Sequence, residues 1–313
     1  MRCVLIGNYG VGNLGDEALK EYFLRTFTDI DWYVLSARPV EGEYPRLPGG
    51  LRSLLLTPWW RTVNAIRRSD VVVFGGGSLF TDVESPFACF LWWWHVVVAR
   101  IFRKPVHLAF QGIGPFKTRI GEWFARRAVC LSETLSVRDT QSKKRVEMWN
   151  LNKEVIQTFD PVFSSFRRHS QDDRSKKVFV LIPRSNISAT FQNLAVERVQ
   201  SGEWDSVNIL SLQSDDASEK RTCAQLASAV DGEVIPICSL TDLALEIESA
   251  SFVLAQRYHG ALAALALGTD FEVVPQGEGD KLSTLHNLIG KKEECMRLVQ
   301  TGENSLRVAL IRN

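Results

Sequence analysis

No stretch of this chain is apolar for long enough to span a bilayer. The most apolar window, Phe87–Ala99 (FACFLWWWHVVVA), runs for about 13 residues and contains His95, against the roughly 18–20 that a membrane helix requires. It reads as a buried helix. A second reading places Trp92, Trp93 and Trp94, with Trp59 and Trp60, in peripheral contact with a membrane interface, where tryptophan is at home. Paired cysteines are missing too. The six (Cys3, Cys89, Cys130, Cys223, Cys238 and Cys295) are scattered, with no CxxC and no histidine at ligand spacing. That argues against a zinc site or a disulfide frame and for reduced, mostly buried thiols in a cytoplasmic protein. The first strand begins almost at Met1, so no leader peptide is expected. Charge of one sign is also scarce: the net charge is +1, which gives no general attraction to nucleic acid. The halves differ mildly, with 21 Lys+Arg against 16 Asp+Glu in residues 1–163 and 16 against 20 in the rest. A basic front half favours an anionic acceptor or a lipid head group.

What the chain does have is strand–helix alternation. At 313 residues it is long enough for two domains of roughly 100–200 residues each. The opening unit is the apolar run Cys3–Ile6, the glycine-rich stretch GNYGVGNLGDEA, and a helix carrying Ala18, Leu19, Tyr22 and Phe23. Further strands are expected at Trp32–Ser36, Val71–Phe74, Pro105–Phe110, Thr134–Val137 and Val155–Thr158. The strand at Val71–Phe74 runs into Gly75-Gly76-Gly77, which reads as a glycine-rich strand end. His107, inside an apolar strand, reads as a satisfied core histidine. The charged run Ser164–Lys177 reads as an interdomain linker, with His169 a solvated residue within it. The second half repeats the scheme with strands at Val178–Ile182, Val207–Leu212, Glu233–Ile237, Phe252–Ala255 and Phe271–Pro275, and with Thr241 and Asp242 capping a helix over Leu243–Ala250. The expected architecture is α/β: an N-terminal Rossmann-like domain (1–163), a linker (164–177) and a C-terminal Rossmann-like domain (178–313), facing one cleft.

Two stretches carry chemistry. Gly10-x-Gly12-x-x-Gly15 fits the dinucleotide fingerprint literally, and Arg38 near the next strand end suits NADP. But Asp16 and Glu17 would repel a pyrophosphate at that helix start. Their carboxylates suit the positive end of the helix dipole and can accept hydrogen bonds from sugar hydroxyls; a plain capping role is the simpler reading. The second stretch is Arg257-Tyr258-His259-Gly260, between a strand end and a helix start. Unpaired N–H groups, a planar guanidinium and a titratable imidazole there fit an anion site with an adjacent proton carrier. The simpler reading is an ordinary ion pair for Arg257 and a backbone-bonded His259.

Taken in order, GNYGVGNLGDEA, FGGGSLF (74–80), QGIGP (111–115), SVRD (136–139), DPVF (160–163) and RYHG (257–260) resemble the polysaccharide pyruvyltransferase family over nearly the whole chain. That resemblance implies a glycosyltransferase-B-like pair of domains, phosphoenolpyruvate as co-substrate, and a saccharide acceptor, often lipid-linked. No metal-ligand cluster is visible in the sequence, so a metal-independent reaction with no other cofactor is expected. Ketal formation from that donor calls for proton transfer, for which His259 is the expected general acid/base and Asp16 the acceptor-side base or hydroxyl orienter. Arg257, Arg138, Lys281 and Arg184 are then donor contacts, and Asn8, Asn13, Glu17, Gly76 and Gly77 line the acceptor side. The chain departs from the family pattern in having Ala255 in place of serine, and in lacking the tyrosine usual ahead of the late lysine. Three other classes compete: a nucleotide-sugar glycosyltransferase, an NADP oxidoreductase and a non-catalytic glycan-binding protein.

Overall fold

The computed structural model describes residues 1–83, 85–168, 176–276 and 281–312. The chain forms two compact units. The first takes in residues 1–11, 16–161 and 297–313; the second takes in 12–15 and 162–296.

In the first unit, in chain order, come β1 (Arg2–Ile6), α1 (Leu14–Thr26), β2 (Asp31–Ser36), β3 (Tyr44–Pro45), α2 (Leu51–Leu56), α3 (Trp60–Arg68), β4 (Val71–Phe80), α4 (Pro86–Ile101), β5 (Val106–Ile113), α5 (Arg119–Leu131), β6 (Thr134–Val137), α6 (Thr140–Met148) and β7 (Val155–Gln157). The strands form one parallel sheet in the order β3-β2-β1-β4-β5-β6-β7. Cys3–Ile6 and Val71–Phe74 are wholly buried, which is why these runs are continuously apolar rather than alternating. The second unit has β8 (Val178–Ile182), α7 (Ala189–Ser201), β9 (Ser206–Ser211), α8 (Ala217–Val230), β10 (Glu233–Pro236), α9 (Leu240–Ser249), β11 (Phe252–Ala255), α10 (Tyr258–Leu267), β12 (Phe271–Val273) and α11 (Leu282–His286). Its parallel sheet has the order β10-β9-β8-β11-β12. The last helix, α12, covers Lys292–Ile311.

Each sheet has a point where the strand order reverses. In the first it is β1, with β2 on one side and β4 on the other; in the second it is β8, between β9 and β11. Ligands of open parallel sheets bind beyond the strand ends at such points. The glycine-rich stretch follows β1, and Arg257 follows β11.

Several expectations are revised. Gly75–Gly77 do not end a strand: β4 continues to Phe80, and β5 continues through Gln111 and Gly112 to Ile113. Gly76 and Gly77 take φ of +82° and +89°, and the β4–β5 register shifts between Gly77 and Phe80. A bulge built on glycine lets the ladder run on past the break. The C-terminal domain does not extend to 313. Residues 297–313 belong to the first unit, where Tyr22 Oη donates to Glu303 Oε1 at 2.5 Å and Arg307 lies over the Phe27 ring at 4.7 Å. The linker expected from Ser164 begins inside packed structure, since a 3-10 turn covers Pro161–Ser165 and Phe166 is buried. Its residues 169–175, His169 among them, lie outside the described residues, as do 277–280 before Lys281. Helix α9 is capped by Ser239, whose Oγ accepts from Asp242 N at 3.1 Å, so Thr241 and Asp242 belong to its first turn. All six cysteines are free thiols, and Cys130 and Cys238 are exposed. No described helix is long and apolar enough to cross a membrane.

Candidate active site

Beyond β1 the backbone turns through Gly10 and Gly12, both at positive φ (+76° and +77°), which favours glycine. Three groups fix this turn. Arg46 Nη2 donates to Gly7 O (3.2 Å), Asn8 Oδ1 (3.2 Å) and Tyr9 O (2.9 Å). Tyr9 Oη donates to Gly75 O at 3.1 Å. Gly10 N donates to Glu17 Oε1 at 2.6 Å. Burial holds the Arg46 guanidinium down at about 10 and pushes the Tyr9 phenol well above its ordinary value. Trp92, within the apolar window, is buried and takes Arg46 over its ring at 5.0 Å.

The carboxylates at the start of α1 are not its caps. Asn13 Oδ1 accepts from Gly15 N at 3.2 Å, the usual work of a capping side chain. Asp16, nearly buried, accepts from Asn8 Nδ2 at 2.9 Å. Arg46 donating to the oxygen of the same amide fixes which way Asn8 faces, so Arg46, Asn8 and Asp16 form one chain of hydrogen bonds. A Cβ added at Gly77 would sit 3.6 Å from Asp16 Oδ1, and one at Gly76 would lie 3.0 Å from Leu19 Cδ2. Glu17 also pairs with Lys20 at 2.8 Å. Asn8, Asp16, Glu17, Gly76 and Gly77 therefore gather around the end of β1.

A further cluster centres on Arg138. This residue is buried at the end of β6, ion-paired to Asp160, and its Nη2 donates to Ser78 Oγ at 2.9 Å. It thereby ties the ends of β4 and β6 to the segment after β7.

In the second unit Arg257 holds the N-cap position of α10 with extended backbone. Its guanidinium pairs with Glu219 and donates to Gln213 Oε1 at 2.7 Å. Glu219 is fully buried, and its Oε1 also accepts from Gln213 N (2.7 Å) and Ser211 Oγ (3.2 Å). Lys281 Nζ lies over the Tyr258 ring at 4.6 Å, and that ring meets the His259 imidazole edge-on with centroids 5.3 Å apart. Arg184 is half-buried just beyond β8. Gly260 lets α10 approach the sheet, since a Cβ there would fall 2.5 Å from Ile182 Cδ1. Gly15, which groups with this unit, lies against His259: a Cβ at that position would fall inside the imidazole ring. Among the described residues, no group of three or more His, Cys, Asp or Glu side chains is placed to hold a metal ion.

The sequence profile described as polysaccharide pyruvyl transferase matches residues 13–272. The chain belongs to this family. The match takes in Asn13, Asp16 and the whole Arg257–Gly260 element. No curated protein matches the sequence. Among solved structures, the chain is similar to Anabaena Alr3699/HepE in complex with UDP-glucose, with a TM-score of 0.60 and 9% identity over 99% of this chain and 94% of that one. It is also similar to UDP-GlcNAc 2-epimerase from Neisseria meningitidis bound to UDP-GlcNAc (TM-score 0.57, 13% identity, 100% of both chains). A third is the S. aureus MnaA–UDP structure (TM-score 0.58, 10% identity, 96% and 90%). At such identities the likeness shows the fold, the doubled α/β arrangement of the GT-B glycosyltransferases.

Arg46, Tyr9, Glu219 and Gln213 were not singled out as site residues in the sequence. One signal existed for Glu219. It shares the apolar stripe of α8 with Cys223, Leu226 and Val230, and a carboxylate in a buried stripe must have a cationic or hydrogen-bonding partner.

Proposed function

We propose that this chain transfers the enolpyruvate-derived group of phosphoenolpyruvate to two hydroxyls of a glycan sugar, releasing phosphate and leaving a pyruvate ketal. The observation that carries the reading is the family match across residues 13–272, which ends beyond an arginine and a histidine at the start of a buried helix.

The donor carries a phosphate and a carboxylate, so it needs oriented cations. Glu219 and Gln213 hold the Arg257 guanidinium in one orientation, and the N-terminus of α10 adds the positive end of its dipole. Arg257 is assigned to the leaving phosphate, with Lys281 and Arg184 as further donor contacts and Arg138 as the residue that keeps the strand ends in place. In the reaction a proton is added to the methylene carbon, making it a methyl group. The first sugar oxygen bonds to the adjacent carbon, phosphate departs with the C–O bonding pair, and the second hydroxyl attacks the same carbon. One hydroxyl proton balances the methyl group and the other leaves with phosphate or a protein base. His259 is the general acid/base, and Asp16, oriented by Asn8, accepts the proton of an attacking hydroxyl.

The test is to incubate the purified chain with phosphoenolpyruvate and a panel of glycan acceptors, scoring phosphate release and ketal formation by mass spectrometry. His259→Ala is expected to lower turnover by roughly 10²–10⁴-fold with the melting temperature unchanged. Wild-type turnover in that variant would remove the mechanism. Similarity to structures holding UDP-sugars supports a second reading, glycosyl transfer from a nucleotide sugar. Consumption of UDP-glucose with phosphoenolpyruvate left intact would select it.

A further inference from the structure

The first unit carries an apolar surface that the reaction does not use. Leu54, Leu55 and Leu56 end α2 and all three are exposed, Leu55 by 81% and Leu56 by 74%. Trp60, which opens α3, is 64% exposed. Phe87, in the first turn of α4, is exposed on adjoining surface, since a Cβ at Gly49 would meet Phe87 Cε1 at 3.5 Å and Leu91 Cδ1 at 3.2 Å. Of the tryptophans that the sequence offers to an interface, Trp60 is exposed, whereas Trp92 is buried and Trp93 packs on Trp123 and Phe124.

Charge identifies the occupant. From Tyr44 to Ser69 the chain has five arginines and neither an aspartate nor a glutamate. Arg52, Arg61, Arg67 and Arg68 among them are exposed. Exposed leucines and a tryptophan bordered by arginines, with no acid in that run of the chain, have the composition of a surface that sinks its apolar side chains into the acyl boundary and sets its cations on lipid phosphates. A second copy would bring the same arginines against these, and like charges oppose such an interface.

We propose that the α2–α3 edge of the first unit docks on an anionic phospholipid bilayer, lying in its interface without crossing it. The proposal does not depend on the transfer reaction, because its test needs no turnover. The full chain would be sedimented with vesicles of phosphatidylcholine alone and with vesicles containing about 30% phosphatidylglycerol, a charge density in the range that attracts basic segments. Sedimentation with the anionic vesicles and not with the neutral ones is expected. The Leu55→Glu/Leu56→Glu pair is expected to weaken binding at least about tenfold, and so is the separate Arg52→Glu/Arg61→Glu pair, with melting temperatures unchanged in both. The proposal is overturned if the wild-type chain stays in the supernatant, or if either pair of variants binds like wild type. It is equally overturned if sedimentation velocity shows a dimer that Leu55→Glu/Leu56→Glu dissociates, which would make this face a self-interface.

Discussion

Asn8 is engaged on both sides of its amide, receiving from Arg46 and donating to Asp16. Its work is therefore to aim a carboxylate. Asn8→Ala is expected to lower kcat by about tenfold, a lost hydrogen bond to a charged group being worth roughly 1.5–3 kcal/mol at most, while KM for phosphoenolpyruvate stays within a factor of two or so. A change confined to KM would place Asn8 in binding instead. The two core histidines have a different consequence. His95 accepts from Leu47 N at 3.0 Å, His107 meets Thr134 Oγ1 at 2.9 Å, and burial lowers each from 6.5 to about 4. The unfolded chain takes up these protons below pH 6.5, whereas the folded chain resists until about pH 4. Stability is then complete above pH 6.5 and falls as pH drops through this window, by up to about 3 kcal/mol for each histidine. Denaturant titrations at pH 7.5, 5.5 and 4.5 should show the loss, and His107→Asn should flatten the slope. An unchanged slope in that variant would show that other groups set the acid sensitivity.

At the scale of elements, the sequence showed where strands begin better than where they stop. Apolar runs such as Val71–Phe74 mark β4 correctly, but glycines read as a terminus, and only pairing with β5 carries the ladder on to Phe80. The candidate site shows a similar division. The loop after β1 and the Arg257–His259 element stand out because glycine, carboxylate, guanidinium and imidazole sit at strand ends. Their supports do not, because Arg46 and Glu219 lie 39 residues from Gly7 and 38 from Arg257 in sequence, beyond the reach of local periodicity. The last helix was hidden for the same reason. Nothing in its charged sequence says which unit it packs on. In the structure Gly302 lies so close to Phe110 that a Cβ would enter the ring, with Thr158 Cγ2 at 3.0 Å. Gly302→Ala is therefore expected to destabilise the first unit by about 1–3 kcal/mol, the cost of overpacking a filled core. The gain in intrinsic helix propensity, roughly 1 kcal/mol, acts the other way. A net stabilisation on chemical denaturation would show that the contact relaxes cheaply.

For the molecule as a whole, the fold does not choose the donor, because one fold hosts many chemistries and the site alone decides among them. Binding to the folded state identifies the donor without an acceptor in hand. A ligand present at about 100 times its Kd adds roughly 2.7 kcal/mol to the stability of whatever binds it. Phosphoenolpyruvate is expected to raise the melting temperature by several degrees, and UDP-glucose and NADPH by none. The gain should disappear in Arg257→Met, whose side chain keeps its bulk and loses its charge. Stability of the unliganded variant needs separate treatment, because removing the guanidinium leaves Glu219 buried without this partner, at a cost of about 3–5 kcal/mol. The comparison is therefore the ligand-induced shift within each protein, not the absolute melting temperature. The double replacement Arg257→Met/Glu219→Gln restores charge balance and should recover much of the stability while remaining blind to phosphoenolpyruvate. Were that double variant to bind the donor as wild type does, the anion would be held elsewhere and the assignment of Arg257 would fall. A shift with UDP-glucose alone would move the chain to glycosyl transfer while leaving the fold and the family membership as they stand.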